Sequence, residues 1–281
     1  MPTAFTELVG CVVPVQLAAM GGVGTTELAA AVAGGGGLGM VPYGKQPALG
    51  VSGVNLLIPF APEPDAVEDA VRGVRVGEFF YGDPRSDLVQ AVHRAGALAG
   101  WQVGSAAEAE AAVEAGSDYV VAQGIEAGGH VRGKQPLEEV LTEVLSRVQV
   151  PVVAAGGVAT SARVAELIGR GAAAVRVGTR FVASVESGAH PDYVQCLLRA
   201  RAKDTTLTTW FGEGWDNAPH RVLRSALEAA RRSGWRATVP PYRGIDRDVR
   251  EMAMYAGMGV GDVTAIEPAA SILADLVSLL D

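Results

Sequence analysis

The chain has 281 residues, a net charge of −8 and 49% hydrophobic content, enough to bury the core of one large α/β domain. The acidic balance without a basic stripe argues against nucleic acid as a partner, and no segment reaches the length of a membrane span. The opening MPTAFTELVG lacks the basic and apolar regions of a signal peptide, which predicts a cytoplasmic protein. Cys11 and Cys196 lie far apart and read as two reduced thiols. Aromatics are only 6%, so the core must be mostly Ala, Val and Leu; many of the 36 glycines end apolar runs and predict tight strand-to-helix turns.

In chain order, Cys11 to Ala19 is an apolar run of strand length, weakened by Pro14. Thr25 caps a helix to about Ala33, and Leu38 to Val41 is a second strand. Pro42 to Ser52 is too short and too rich in Pro and Gly for a full helix. Val54 to Ile58 is a third strand, Pro64 to Arg72 a short helix, and Val74 to Tyr81 a fourth strand. Pro84 to Ala95 reads as a helix with Pro in its first turn, and Leu98 to Val103 as the fifth strand. Ser105 to Ala115 is a helix opened by Ser105 and Glu108 in a capping-box pattern. Tyr119 to Ala122 is the sixth strand, Leu137 to Arg147 a helix, Val152 to Ala155 the seventh strand, Ser161 to Gly169 a helix and Ala174 to Val177 the eighth strand.

Eight short strands separated mostly by helices predict parallel pairing, and their near-continuous apolar content predicts burial on both faces. Eight within about 180 residues fits an α/β (β/α)8 TIM barrel better than an open doubly wound sheet. About eleven residues without a clear helix join the second and third strands. That side of the ring is expected to be thin or covered by another subunit, as in a homodimer. After the eighth strand, Glu186 to Lys203 reads as helical with an early break at Pro191, Thr205 to Asn217 as aromatic and irregular, and Ala218 to Ser233 as an Arg-rich helix. Pro268 to Leu280 closes the chain as an amphipathic helix. The expected organisation is a barrel of 1–185 plus 263–281 and a small helical subdomain of 186–262.

The chemistry is expected at the C-terminal ends of the strands. Asp118 to Gly133, DYVVAQGIEAGGHVRG, begins as a buried strand and breaks into a polar, glycine-rich loop. Two further strand ends look alike: one runs through Gly156 and Gly157 into a helix opened by Thr160, the other through Arg176 to Gly178 and Thr179. Glycines let backbone N–H groups approach a phosphate beside a helix N-terminus; equally, they serve ordinary turns. As a pair at strands seven and eight they favour phosphate. His130 follows two glycines at a strand end and can act as a base near neutral pH or as a positive group beside a developing anion. His93 falls in an outer helix, while His190 and His220 fall in the appendage, where they cap or pair. Trp210, Phe211, Trp215, Tyr255 and Met258 either form an apolar wall on the substrate side or the core of the subdomain. The sequence indicates no metal site.

The runs VAQGIEAGGH (Val121 to His130), PVVAAGGV (Pro151 to Val158) and GTRF (Gly178 to Phe181) resemble the nitronate monooxygenase (2-nitropropane dioxygenase-like) family of FMN-dependent barrels. Weaker support comes from TELA at Thr26, GGLG at Gly36, GVNL at Gly53 and SGAH at Ser187. The resemblance covers most of the chain, and the EAGGH loop is specific to this family and to flavin-dependent enoyl-ACP reductases. It implies FMN at the barrel mouth: Asn55 and Gln123 on the flavin ring or ribityl chain, Gly128, Gly156, Gly157, Gly178 and Thr179 at the phosphate, and Met20 beneath the isoalloxazine. It implies a small-molecule substrate and O2, with alkyl nitronates oxidised to a carbonyl compound and nitrite and His130 as base or anchor for the nitro oxygens.

Departures accompany the likeness. The first strand ends Leu17-Ala18-Ala19-Met20 where relatives commonly have Gln-Ala-Pro-Met. Arg176 stands where Gln is common; it could contact phosphate or flavin, or face the helices. Two other readings stay open: an NAD(P)H-dependent reductase of enoyl thioesters or quinones on the same scaffold, and a flavin-binding accessory protein without catalysis.

Overall fold

Alternating Val/Ala-rich runs and capped helices build the architecture. A computed structural model describes residues 2–46, 50–60 and 63–280. Helix α1 (Ala4–Val9) is followed by β1 (Val15–Leu17), α2 (Thr26–Gly34), β2 (Gly39–Pro42), β3 (Ser52–Leu57), α3 (Pro64–Ala70) and β4 (Val76–Phe80). Next come α4 (Ser86–Arg94), β5 (Leu98–Val103), α5 (Ala106–Glu114), β6 (Tyr119–Gln123) and a two-residue strand β7 (Gly129–His130). Then follow α6 (Leu137–Arg147), β8 (Val152–Ala155), α7 (Ser161–Gly169), β9 (Ala174–Val177) and α8 (Thr179–Val182). The remainder is α9 (Pro191–Arg199), β10 (Thr205–Thr208), β11 (His220–Leu223), α10 (Arg224–Ser233) and α11 (Ala269–Leu276).

Eight strands pair in parallel in the order β1-β9-β8-β6-β5-β4-β3-β2. A bridge between Gln16 and Leu38 joins the two ends, with Leu17 N–H donating to Leu38 O at 2.9 Å and Leu38 N–H to Val15 O at 2.9 Å. The product is the expected (β/α)8 TIM barrel. Each of the eight barrel strands falls on an expected apolar run. Thr25 and Thr160 cap α2 and α7, accepting from Leu28 N at 2.9 Å and Arg163 N at 3.2 Å. Ser105 caps α5, whereas Glu108 turns back to Gly104 N at 2.8 Å, one residue beyond a reciprocal capping box.

Several elements differ from expectation. Only Val15–Leu17 of the first run is strand. Ahead of it, α1 ends at Gly10, whose φ of 85° suits glycine. This short helix plugs the N-terminal end of the barrel with Phe5, edge-on to Tyr119 at 5.3 Å between ring centroids. Helix α4 begins at Ser86, past Pro84. Part of the connection after the second strand, Pro47 to Leu49, lies outside the described residues, as do Ala61 and Pro62; no helix occurs between β2 and β3 among the described residues. Helix α9 begins only at Pro191, where His190 caps it through Nδ1. The Arg-rich helix starts at Arg224. His220–Leu223 forms β11 instead, because its four buried residues find a partner edge. Thr205–Thr208 is likewise a strand, and β10, β11 and β7 make an antiparallel sheet in which His220 faces His130.

Inside the barrel, side chains are sorted by height. Near the N-terminal end Leu38, Met40, Val76, Tyr119, Val121 and Val153 pack around Phe5. One pleat further along the strands, Gln16, Asn55, Glu78, Gln102, Gln123 and Arg176 are all buried and make a polar upper layer. Outside the ring, the larger apolar core lies between strands and helices. Among the described residues no helix is long and apolar enough to cross a membrane.

Candidate active site

A cavity of about 900 Å3 opens above the polar layer at the C-terminal ends of the strands. It lies within the roughly 300–1,000 Å3 typical of cofactor and small-ligand sites. Its lining includes His130, Met20, Asn55, Gln123 and Arg176, and also Gly128, Gly156, Gly157, Gly178 and Thr179. The fold thus brings His130 and the nine residues selected for the cofactor to one space.

One end of the cavity is built from glycine. Gly156 and Gly157 have φ of 130° and 68°, values that disfavour any side chain. A Cβ on Gly128 would come within 2.5 Å of Gly257 N, and one on Gly259 within 2.6 Å of Gly157 O. Thr179 Oγ1 accepts from Gly257 N–H at 3.0 Å, and Glu126 O accepts from Met258 N–H at 2.8 Å. The Gly257–Gly259 loop is therefore part of the cradle. From sequence this stretch reads either as substrate-side wall or as core of the subdomain; its glycine spacing, G-M-G, is the signal that points to the cradle.

The loop from Gly124 to His130 is held from several directions. Glu126 accepts from Leu137 N–H at 3.0 Å and so caps α6. Arg221 on β11 donates twice to Ile125 O, at 2.9 and 2.7 Å. Gln123 donates from Nε2 to His130 O at 2.9 Å and accepts from Arg132 N–H at 3.2 Å. Both ends of the Gln123 side chain are thus engaged in shaping the loop.

His130 sits in an aromatic enclosure. Its ring stacks on Trp215 with centroids 3.8 Å apart and an 18° interplanar angle. Tyr81 meets it edge-on at 5.8 Å, with His220 at 5.2 Å. Tyr81 itself has a φ of 66°, a left-handed conformation that tertiary contacts must sustain. His130 Nε2 is buried without a hydrogen-bond partner among the described residues. Burial, and secondarily His220, push the His130 pKa down to about 3, so the imidazole is neutral at physiological pH. The positive form considered from sequence does not fit this environment. His220 is held neutral by burial too, with Nδ1 on Ala218 O at 3.0 Å. His93 pairs with Asp118 at 2.9 Å on the outer face.

Arg176 does not face the helices. It points inward, and its guanidinium pairs with Glu78. Asn55 Nδ2 donates to the same carboxylate at 3.1 Å. Met20 lines the cavity beyond β1, and Gly178 lies close to Ala18, where an added Cβ would come within 3.2 Å of the Ala18 Cβ. Of the aromatic wall, Trp215 and Tyr255 line the cavity, Phe211 packs with Val222, Leu227, Ala230 and Ala253, Trp210 lies under Arg236, and Met258 is 39% exposed.

A family model described as nitronate monooxygenase matches residues 65–278. The chain belongs to this family. Among its relatives, a nitronate monooxygenase of Pseudomonas aeruginosa is 37% identical over 53% of this chain and 45% of its own length. A 5-hydroxy-7a-methyl-1-oxo-octahydro-1H-indene-4-carboxyl-CoA dehydrogenase of Rhodococcus jostii is 34% identical over 80% of this chain and 66% of its own. The chain thus spans about two thirds or less of the length of these relatives. FabK from Thermotoga maritima superposes with a TM-score of 0.84 at 28% identity, covering 99% of this chain and 96% of that one. A nitroalkane oxidase from Streptomyces ansochromogenes gives 0.79 at 29% identity over 99% and 98%. As a nitronate monooxygenase family member, the chain is an oxidoreductase on a TIM-barrel scaffold.

Proposed function

We propose that the protein is an FMN-dependent oxidoreductase that oxidises alkyl nitronates with O2, yielding a carbonyl compound and nitrite. The observation that carries this reading is the meeting of His130 and a glycine cradle in one deep cavity of a chain from this family. The residues fit the cofactor. The loops of the cradle close on one another only because Gly128, Gly257 and Gly259 lack Cβ atoms, which would come within 2.5, 2.9 and 2.6 Å of the facing backbone, and that closeness leaves backbone edges free to face a phosphate. FMN, when bound, accepts electrons from the substrate and passes them to O2.

The chain's residues then divide the remaining work. Gly156, Gly157 and Gly178 let the backbone approach the phosphate, and the Thr179 hydroxyl, which accepts from Gly257, keeps its hydrogen to donate. Asn55 presents its side-chain carbonyl while its amide is held by Glu78. Gln123, spent on the loop, acts by setting the position of His130. Met20 borders the ring's place on the β1 side. A neutral, desolvated imidazole is a weak base. A nitronate arrives already deprotonated and asks His130 only for a hydrogen bond to a nitro oxygen.

A second reading, a nicotinamide-dependent reductase or dehydrogenase of acyl thioesters, is favoured by the CoA dehydrogenase relative and the likeness to FabK. An anaerobic spectral titration of the FMN-loaded protein separates the two. Bleaching by an alkyl nitronate, slowed at least tenfold in His130→Asn, supports the monooxygenase. Bleaching by NADH or NADPH alone would put the reductase first, and failure to retain FMN would end both.

A further inference from the structure

We propose that Glu78 is a positioning residue: it holds the Arg176 guanidinium in the cavity floor, so that an acid–base pair built into the barrel sets the charge beneath the cofactor site. The inference rests on the proposal that FMN binds in this cavity.

Glu78 in VGEFF and Arg176 in AVRV are the only charged residues of their strands. Strand alternation turns both side chains into the barrel, at the level of the polar layer. Glu78 is 0% exposed and Arg176 8%. Arg176 lines the cavity, whereas Glu78 lies behind it. The other charged residues of the lining, Lys45 and Glu213, are exposed at the rim.

The pair is fixed by groups from several strands. Besides Arg176, the Glu78 carboxylate accepts from Tyr119 OH at 2.8 Å, Gln16 Nε2 at 2.8 Å and Asn55 Nδ2 at 3.1 Å. The guanidinium donates in addition to Gln16 Oε1, at 2.9 and 3.2 Å, and to Gln102. Each of the three guanidinium nitrogens is thus held by at least one bond, which fixes the orientation of the planar fork. A buried ion pair is no better for stability than well-packed apolar residues, so stability alone does not account for it. In a desolvated floor a fixed positive charge favours whatever nearby group becomes negative, including a reduced cofactor. Glu78 attenuates that charge and fixes where it points.

The test reads the reduction potential of FMN bound to the full-length protein, by equilibration with a reference dye. Arg176→Gln should lower it, Glu78→Gln should raise it, and the double variant should return close to the parent. Opposite shifts that cancel are a charge effect; general loosening of the barrel would move both single variants the same way and would overturn the proposal. Should Glu78→Gln fail to fold with its guanidinium unpaired, the double variant must still lie above Arg176→Gln, and equality of those two potentials overturns it. FMN retained with unmoved potentials defeats this inference alone. A colourless protein defeats the cofactor reading and this inference together.

Discussion

At the residue scale, His130 shows how strongly surroundings decide chemistry. The side chain that sequence offers as a cation or a base is packed against Trp215 and Tyr81 and half-buried, and its charged form is disfavoured. The consequence for stability has a definite sign. The unfolded chain takes up a proton on His130 near its ordinary pKa of 6.5, while the folded chain resists until about 3. Stability is therefore unaffected above pH 6.5 and falls as pH drops from there towards 3, by about 1.4 kcal/mol per unit. Urea denaturation at pH 6.5 and pH 5 should show His130→Asn losing about 2 kcal/mol less than the parent over that interval. Equal losses would mean that the imidazole is solvated in the folded protein.

At the element scale, the two-residue strand β7 links the barrel to the small antiparallel sheet of β10 and β11. Its pairing with β11 aligns His220 with His130 and Arg221 with Gly129, and the Arg221 side chain clamps Ile125 O. Hydrogen bonds from a buried charged donor contribute about 1.5–3 kcal/mol. Arg221→Ala should destabilise the chain by about that amount. Amide exchange should accelerate first in Ile125 to His130, and FMN should bind more weakly. Exchange that stays slow in this loop while the rest of the chain loosens would show that the clamp is not what holds it.

At the scale of the whole molecule, the barrel is closed below and open above. Helix α1 seals the lower end with Phe5, which is 0% exposed, and Thr3 Oγ1 anchors the helix to Ala173 O at 2.6 Å. The glycine cradle and the polar layer occupy the upper end. Phe5→Ala should cost about 3–5 kcal/mol by leaving a cavity under Tyr119. KM for the substrate should change little, because the plug and the site lie at opposite ends. A large shift in KM at unchanged cofactor affinity would contradict that separation.

Local pattern determined much of this protein. The eight barrel strands, the caps Thr25, Ser105 and Thr160, and the glycine turns after the seventh and eighth strands are legible because hydrophobic runs, N-caps and left-handed turns are short-range effects. All ten residues selected for the site line one cavity for the same reason: parallel strands send their C-terminal ends to one rim. Tertiary structure alone decided the rest. Ala218 to Leu223 reads as the start of a helix, but its last four residues become a strand because β7 offers an unpaired edge. Phe5 lies in a stretch with no periodic signal and is buried only because a barrel needs a plug. Glu78 and Arg176 are 98 residues apart. Each is a lone charge in an apolar strand, and only closure of the ring turns both inward and makes them partners.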